Sequence, residues 1–186
     1  MKILLFNSPW YDDEDPMKWG VRGGSRWPHF QQRPQVDMLP RYIPFPFFLA
    51  TSAAILRQAG HEVFILDAIA EDINLESSYE KIKNFEPQLI FSESSTPSLY
   101  WDLQVFADLR RQFPLATLVS GGSQGVSVIP ELMEKEKVPD FWLGGEFDQS
   151  LLKLVQIIED DGDFAAVPGL IGKGINNPPA IVENVR

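Results

Sequence analysis

PQLIFSESSTPSLYWDLQVFADLRRQF, Pro87 to Phe113, is the stretch on which the reading of the fold turns. Leu89 to Phe91 form a short apolar run without alternation, which suits a strand covered on both faces. A polar, hydroxyl-rich segment follows, and Pro97 fits the first position of a helix. Beyond it Leu99, Leu103, Phe106 and Phe113 fall on one helical stripe. The unit is therefore βα, with a helix that packs back onto the sheet its strand joins.

The same unit recurs in both directions. Upstream lie ILLF (3–6) and VFIL (63–66); downstream lie TLV (117–119) and FWL (141–143). FPFFLATSAAILRQAG opens a helix after Pro44 and Pro46 and closes it at Gly60, a good C-terminal glycine. Residues 76–85 form a short helix that stops before Pro87, another begins at Pro130, and a last one runs from Phe147 to Glu159 with Leu151, Leu154, Val155 and Ile158 inward. Five βα repeats predict an α/β fold: a Rossmann-like, flavodoxin-like doubly wound five-stranded parallel sheet, order 2-1-3-4-5. After Gly162 the pattern degrades, and GLIGKGINNPPAIVENVR reads as a small C-terminal hairpin or tail. The domain is placed at 1–162, with a long loop 7–42 after the first strand, and 163–186 as hairpin or linker.

With 186 residues, 44% of them hydrophobic, the chain can bury a core as one domain. It contains no Cys, which excludes disulfides, thiolate zinc sites, Cys-ligated clusters and Cys nucleophiles within it. A net charge of −10 argues against nucleic-acid binding. No apolar run is long enough to span a membrane, and no signal-peptide pattern opens the chain. A cytoplasmic location is expected.

In such sheets ligands bind beyond the carboxyl ends of the strands. That edge is built here by Asn7-Ser8-Pro9-Trp10 and the loop after it, by Ser94-Ser95-Thr96, by Gly121-Gly122-Ser123-Gln124, and by Gly145-Glu146. DAIAED, after the second strand, reads as ordinary. The paired glycines admit two readings: close approach to a ligand, or a tight βα turn. Among the hydroxyls one is expected to cap the following helix, Thr96 being the favoured one. The first loop concentrates Arg22, Arg26, Arg33 and Arg41 with Trp10, Trp19 and Trp27, either to meet an anion or planar ligand or to pair with Asp12, Asp13, Glu14 and Asp15. His29 and His61 have no partner at metal-ligand spacing, so no metal-ligating residue is expected. No G-x-G-x-x-G follows the first strand, and neither G-x-x-x-x-G-K-[ST] nor G-x-S-x-G occurs.

Taken in order, KILLFNSPW, YIPFPFFLATSAAILRQAGHEVFILDA, PQLIFSESSTPS, LVSGGSQGVSVIPE and DFWLGGEFDQSLLKLV resemble the N-terminal cobalamin-binding domain of cobalamin-dependent radical S-adenosylmethionine enzymes. The resemblance covers nearly the whole chain. It implies a corrin carried over the carboxyl edge and a nucleotide tail entering a groove beside the sheet, along Ser94, Ser95 and Thr96. Gly121 and Gly122 would give that tail room, and Gly145 and Glu146 match the family's G-E. Better-known cobalamin carriers have D-x-H-x-x-G after the first strand, whose His ligates cobalt. Asn7-Ser8-Pro9-Trp10 stands there instead, which implies base-off cobalamin without a His ligand. Arg26 and Trp27 would cover the ring or meet its amide and phosphate groups. Ser123-Gln124 replaces the family's Pro-His.

What the resemblance implies for function is a cobalamin-binding domain of a radical enzyme, of the methyltransferase type. The cofactor's cobalt would be its metal, and no catalytic residue is named. S-adenosylmethionine and a 4Fe-4S cluster would belong to a radical domain absent from this chain, whether in a longer chain or in a partner; this chain has no Cys to hold the cluster. The sequence is accordingly expected to be an excised part or a stand-alone relative, not catalytic alone. Two alternatives stay open: a degenerate scaffold or docking domain that binds no cobalamin, and a flavodoxin-like binder of another nucleotide or anion.

Overall fold

A computed structural model describes residues 1–11, 18–21, 29–32, 43–122 and 128–179. In chain order the elements are β1 (Lys2–Asn7), β2 (Lys18–Val21), β3 (His29–Gln32), α1 (Phe47–Gln58), β4 (Glu62–Asp67), α2 (Leu75–Phe85), β5 (Leu89–Glu93), α3 (Leu99–Gln112), β6 (Thr117–Gly122), α4 (Ile129–Glu136), β7 (Phe141–Gly144), α5 (Asp148–Asp160), β8 (Leu170–Gly172) and β9 (Ile175–Asn176). A single 3-10 turn, Thr96–Ser98, leads into α3.

β4, β1, β5, β6 and β7 pair in parallel in that spatial order, which is 2-1-3-4-5 for the five βα strands. Their apolar runs are continuous because both sheet faces are covered. Ile3 and Leu5 face α1 and α5, together with Phe91, Val119 and Leu143. Leu4 and Phe6 face α2 and α3, together with Ile90 and Leu118. α4 packs on the second face through Ile129 and Met133, against Trp142 and Ile171. Ile3, Leu4, Leu5 and Phe6 are all fully buried, so each stabilises the fold by roughly 1.5–3 kcal/mol.

Two differences from the expected architecture stand out. The sheet has seven strands, because β8 continues it antiparallel to β7 and β9 continues it antiparallel to β8. The segment read as a small hairpin or tail is a hairpin, and by joining the sheet it closes the edge that β7 would otherwise expose. Within the loop read over 7–42, β2 and β3 form an antiparallel ribbon, with Lys18 opposite Gln32 and Val21 opposite His29. The ribbon is tied to the exit of β1: the Gly20 amide donates to the Trp10 carbonyl at 2.6 Å. A Cβ at Gly20 would overlap the Trp10 indole, so only glycine lets the ribbon lie this close.

Candidate functional site

β1 and β5 flank the point where the strand order reverses, so the loops after them bound the crevice where ligands of such sheets are held. In this protein that crevice is largely filled by its own side chains. Asn7, Ser8, Pro9 and Trp10 are buried. The Trp101 indole N–H, from α3, donates to the Pro9 carbonyl at 2.7 Å. Tyr11 meets Trp101 edge to face, with ring centroids 5.9 Å apart.

The hydroxyls after β5 are organised by a residue the sequence reading passed over. Asp102 is buried in α3 and accepts from Ser94 Oγ at 2.6 Å and from Ser98 Oγ at 2.8 Å. Ser95 and Ser98 share a further hydrogen bond at 2.7 Å. Ser95, not Thr96, is the cap: it forms a reciprocal capping box with Ser98 around the 3-10 turn. Thr96 sits within the turn and is exposed. A pointer to Asp102 existed, since it lies three residues beyond Leu99 and four before Phe106, a carboxylate on an otherwise apolar stripe.

Gly121 and Gly122 end β6 and are buried. The Ser94 amide donates to the Gly121 carbonyl at 2.8 Å, joining the two loops. A Cβ on Gly121 would come within 2.9 Å of the Phe91 ring and 3.0 Å of the Phe147 ring. Close packing against these rings requires glycine here, whatever lies beyond. Gly145 and Glu146 are exposed at the start of α5. Arg26, Trp27, Ser123 and Gln124 lie outside the described residues.

Two further carboxylates stand at this edge. Asp67 ends β4, in register with Asn7; its Oδ1 accepts from Asn7 Nδ2 at 2.9 Å and from the Ala70 amide at 3.1 Å. Burial pushes Asp67 above the usual carboxylate range, against these hydrogen bonds, which pull it down. Asp148, in the first turn of α5, accepts from Ser52 Oγ of α1 at 2.6 Å. Burial raises it too; the Ser52 bond opposes this and the nearby Glu146 charge adds to it. The first residue of DAIAED thus anchors Asn7 of the adjacent strand β1.

Among the described residues the edge is open on the other side of the sheet, between α1 and α5. A groove of about 570 Å³ lies there, lined by residues including Thr51, Ile55, Glu146, Asp148, Lys153 and Pro168. Thr51 Oγ1 donates to the Phe47 carbonyl at 2.9 Å, so groove and helix start adjoin. Two other grooves, beside the entrances to β7 and β5, contain none of the candidate residues. His61 enters β4 at the opposite edge, its Nδ1 3.2 Å from the Met1 amino group. Among the described residues no group of three or more His, Cys, Asp or Glu is placed to hold a metal ion, and no helix is long and apolar enough to cross a membrane.

No protein-family model matches the chain. It is 27% identical over 122 residues to the anaerobic magnesium-protoporphyrin IX monomethyl ester cyclase of Rubrivivax gelatinosus, a match covering 65% of this chain and 22% of the cyclase. It is 28% identical over 146 residues to an uncharacterized methyltransferase of Pyrococcus horikoshii, covering 75% of this chain and 31% of the methyltransferase. The resemblance read from the loop motifs stands. The chain spans between about a fifth and a third of the length of these relatives. Among solved structures, a cobalamin-binding protein from Desulfitobacterium hafniense aligns with a TM-score of 0.48 and 15% identity, over 83% of this chain and 57% of that one.

Proposed function

We propose that this chain is a cobalamin-binding domain that works with a radical S-adenosylmethionine domain, in an enzyme of the methyltransferase type. The observation that carries the reading is the ordered set of loop motifs gathered at one sheet edge by the 2-1-3-4-5 order. The similarity to a methyltransferase supports it. The groove at the open part of this edge is lined by apolar Ile55, Ala166 and Pro168, by Thr51, and by the charged Glu146, Asp148 and Lys153, and it adjoins the start of α1 with its exposed Phe45, Phe47 and Phe48. That set suits a large flat group with apolar faces and a neutral amide rim. Thr51, Gly145 and Glu146 would hold its periphery, and Asn7-Ser8-Pro9-Trp10 would lie below without supplying a ligand to cobalt. When bound, the cofactor supplies a methyl group carrier; this chain orients it and shields one face from water.

The test is to mix the purified protein with hydroxocobalamin, desalt it, and record the visible spectrum. Near-stoichiometric retention with a base-off spectrum is expected. A colourless protein would remove the cobalamin reading. One observation favours a second reading, a docking domain without corrin. Asn7, Trp10 and Ser94 are all buried, and Asn7 and Ser94 already hydrogen-bond within the chain. A colourless protein that still binds a separately expressed radical domain would establish that alternative.

A further inference from the structure

The two sides of the carboxyl edge differ in what they show to solvent. Toward α3 it is closed by Trp10, Ser94, Ser98 and Asp102, none more than 5% exposed. Toward α1, Phe45, Phe47 and Phe48 are 58%, 64% and 49% exposed. Three exposed phenylalanines within four residues form a patch that a merely solvated surface does not select. They are also continuous with the core. Phe48 rests on Phe147 with centroids 5.9 Å apart, and Phe147 rests on Phe91, in the middle of β5, at 4.9 Å. Phe45 and Phe47 meet edge to face at 5.0 Å. The sequence from Ile43 to Leu56 contains no charged residue, in a chain that is 23% charged. Glu146 lines the groove that adjoins this helix start through Thr51.

We infer that Phe45, Phe47 and Phe48 form the shelf that carries the apolar face of a flat macrocycle, with Glu146 of the adjoining groove accepting from amide N–H groups on its rim. This rests on the cobalamin reading and adds to it a side of the sheet and three residues. Aromatic rings offer a flat ligand large contact area at low cost in side-chain entropy. Their position at the carboxyl edge, rather than on an outer helix face, is what selects a ligand of the sheet over a surface partner.

The test titrates hydroxocobalamin into wild-type protein, Phe45→Ser, Phe47→Ser, the double variant, and Phe45→Leu with Phe47→Leu, following thermal melting alongside. Tyr100→Ser serves as a control, since Tyr100 is 72% exposed on the closed side. The double serine variant is expected to bind about tenfold or more weakly with an unchanged melting temperature, in line with the loss of apolar burial. The leucine pair should recover most of the affinity, and Tyr100→Ser should keep all of it. Wild-type affinity in the double serine variant overturns the inference alone. So does an equal loss in Tyr100→Ser, or an unchanged affinity accompanied by the loss of self-association in sedimentation. A wild-type protein that takes up no cobalamin overturns the cobalamin reading and this inference with it.

Discussion

Asp102 shows how one side chain sets the chemistry of a loop. Its carboxylate takes hydrogen bonds from Ser94 and Ser98, and all three are buried. Asp102→Ala takes the acceptor from the buried Ser94 hydroxyl and leaves Ser98 only its bonds to Ser95, so it is expected to cost roughly 1–3 kcal/mol in urea denaturation. Asp102→Asn, which keeps an acceptor, should cost less than half of that. Asp148 makes a pH-dependent contribution of the opposite kind from a salt-bridged acid. Burial raises its folded pKa, so the folded state holds the proton more tightly than the unfolded chain. The stability this adds is fully present below the unfolded carboxylate value. It is lost as pH rises through the higher folded value. Asp148→Asn keeps an oxygen for Ser52 and carries no charge. Its urea midpoint should gain on wild type as pH climbs from about 3.5 to about 7; a constant difference across that range would show that burial does not govern this group.

At the scale of elements, the informative cases are the short strands. β1, β4, β5, β6 and β7 were legible because each is covered on both faces and reads as an unbroken apolar run. LIG and IN, which make β8 and β9, are too short for any period to show, and KWGV and HFQQ in the ribbon carry no alternation of apolar and polar residues. Yet β8 matters to the core. Leu170 pairs with Leu143 and Ile171 with Trp142, and Val167, Leu170 and Ile171 are at most 2% exposed. Ending the chain after Gly162 removes these three buried side chains and uncovers β7 as an edge. The truncated protein is expected to lose at least about 4 kcal/mol in denaturant and to aggregate. Equal stability would mean that 163–186 is an appendage. The α1 start illustrates the opposite limit of legibility: FPFFLA reads as the opening of a helix, and only the fold reveals that Phe45 and Phe47 are exposed.

Over the whole molecule, the spatial order of the sheet followed from the regular βα alternation, and the loops that resemble the cobalamin-binding family do gather on one edge. Which part of that edge is open did not follow, because it depends on Trp101 of α3 meeting Pro9 and Tyr11, far away in sequence. The order of the strands has one more consequence, for how the protein is made. β1 sits between β4 and β5, so the strand of this sheet that is made first is an inner one whose neighbours begin at Glu62 and Leu89. At ~5–20 residues per second, ILLF waits on the order of ten seconds for both partners to be synthesised. Until then it is an uncovered apolar segment with free backbone donors and acceptors on both sides, the kind of sequence that chaperones hold during translation.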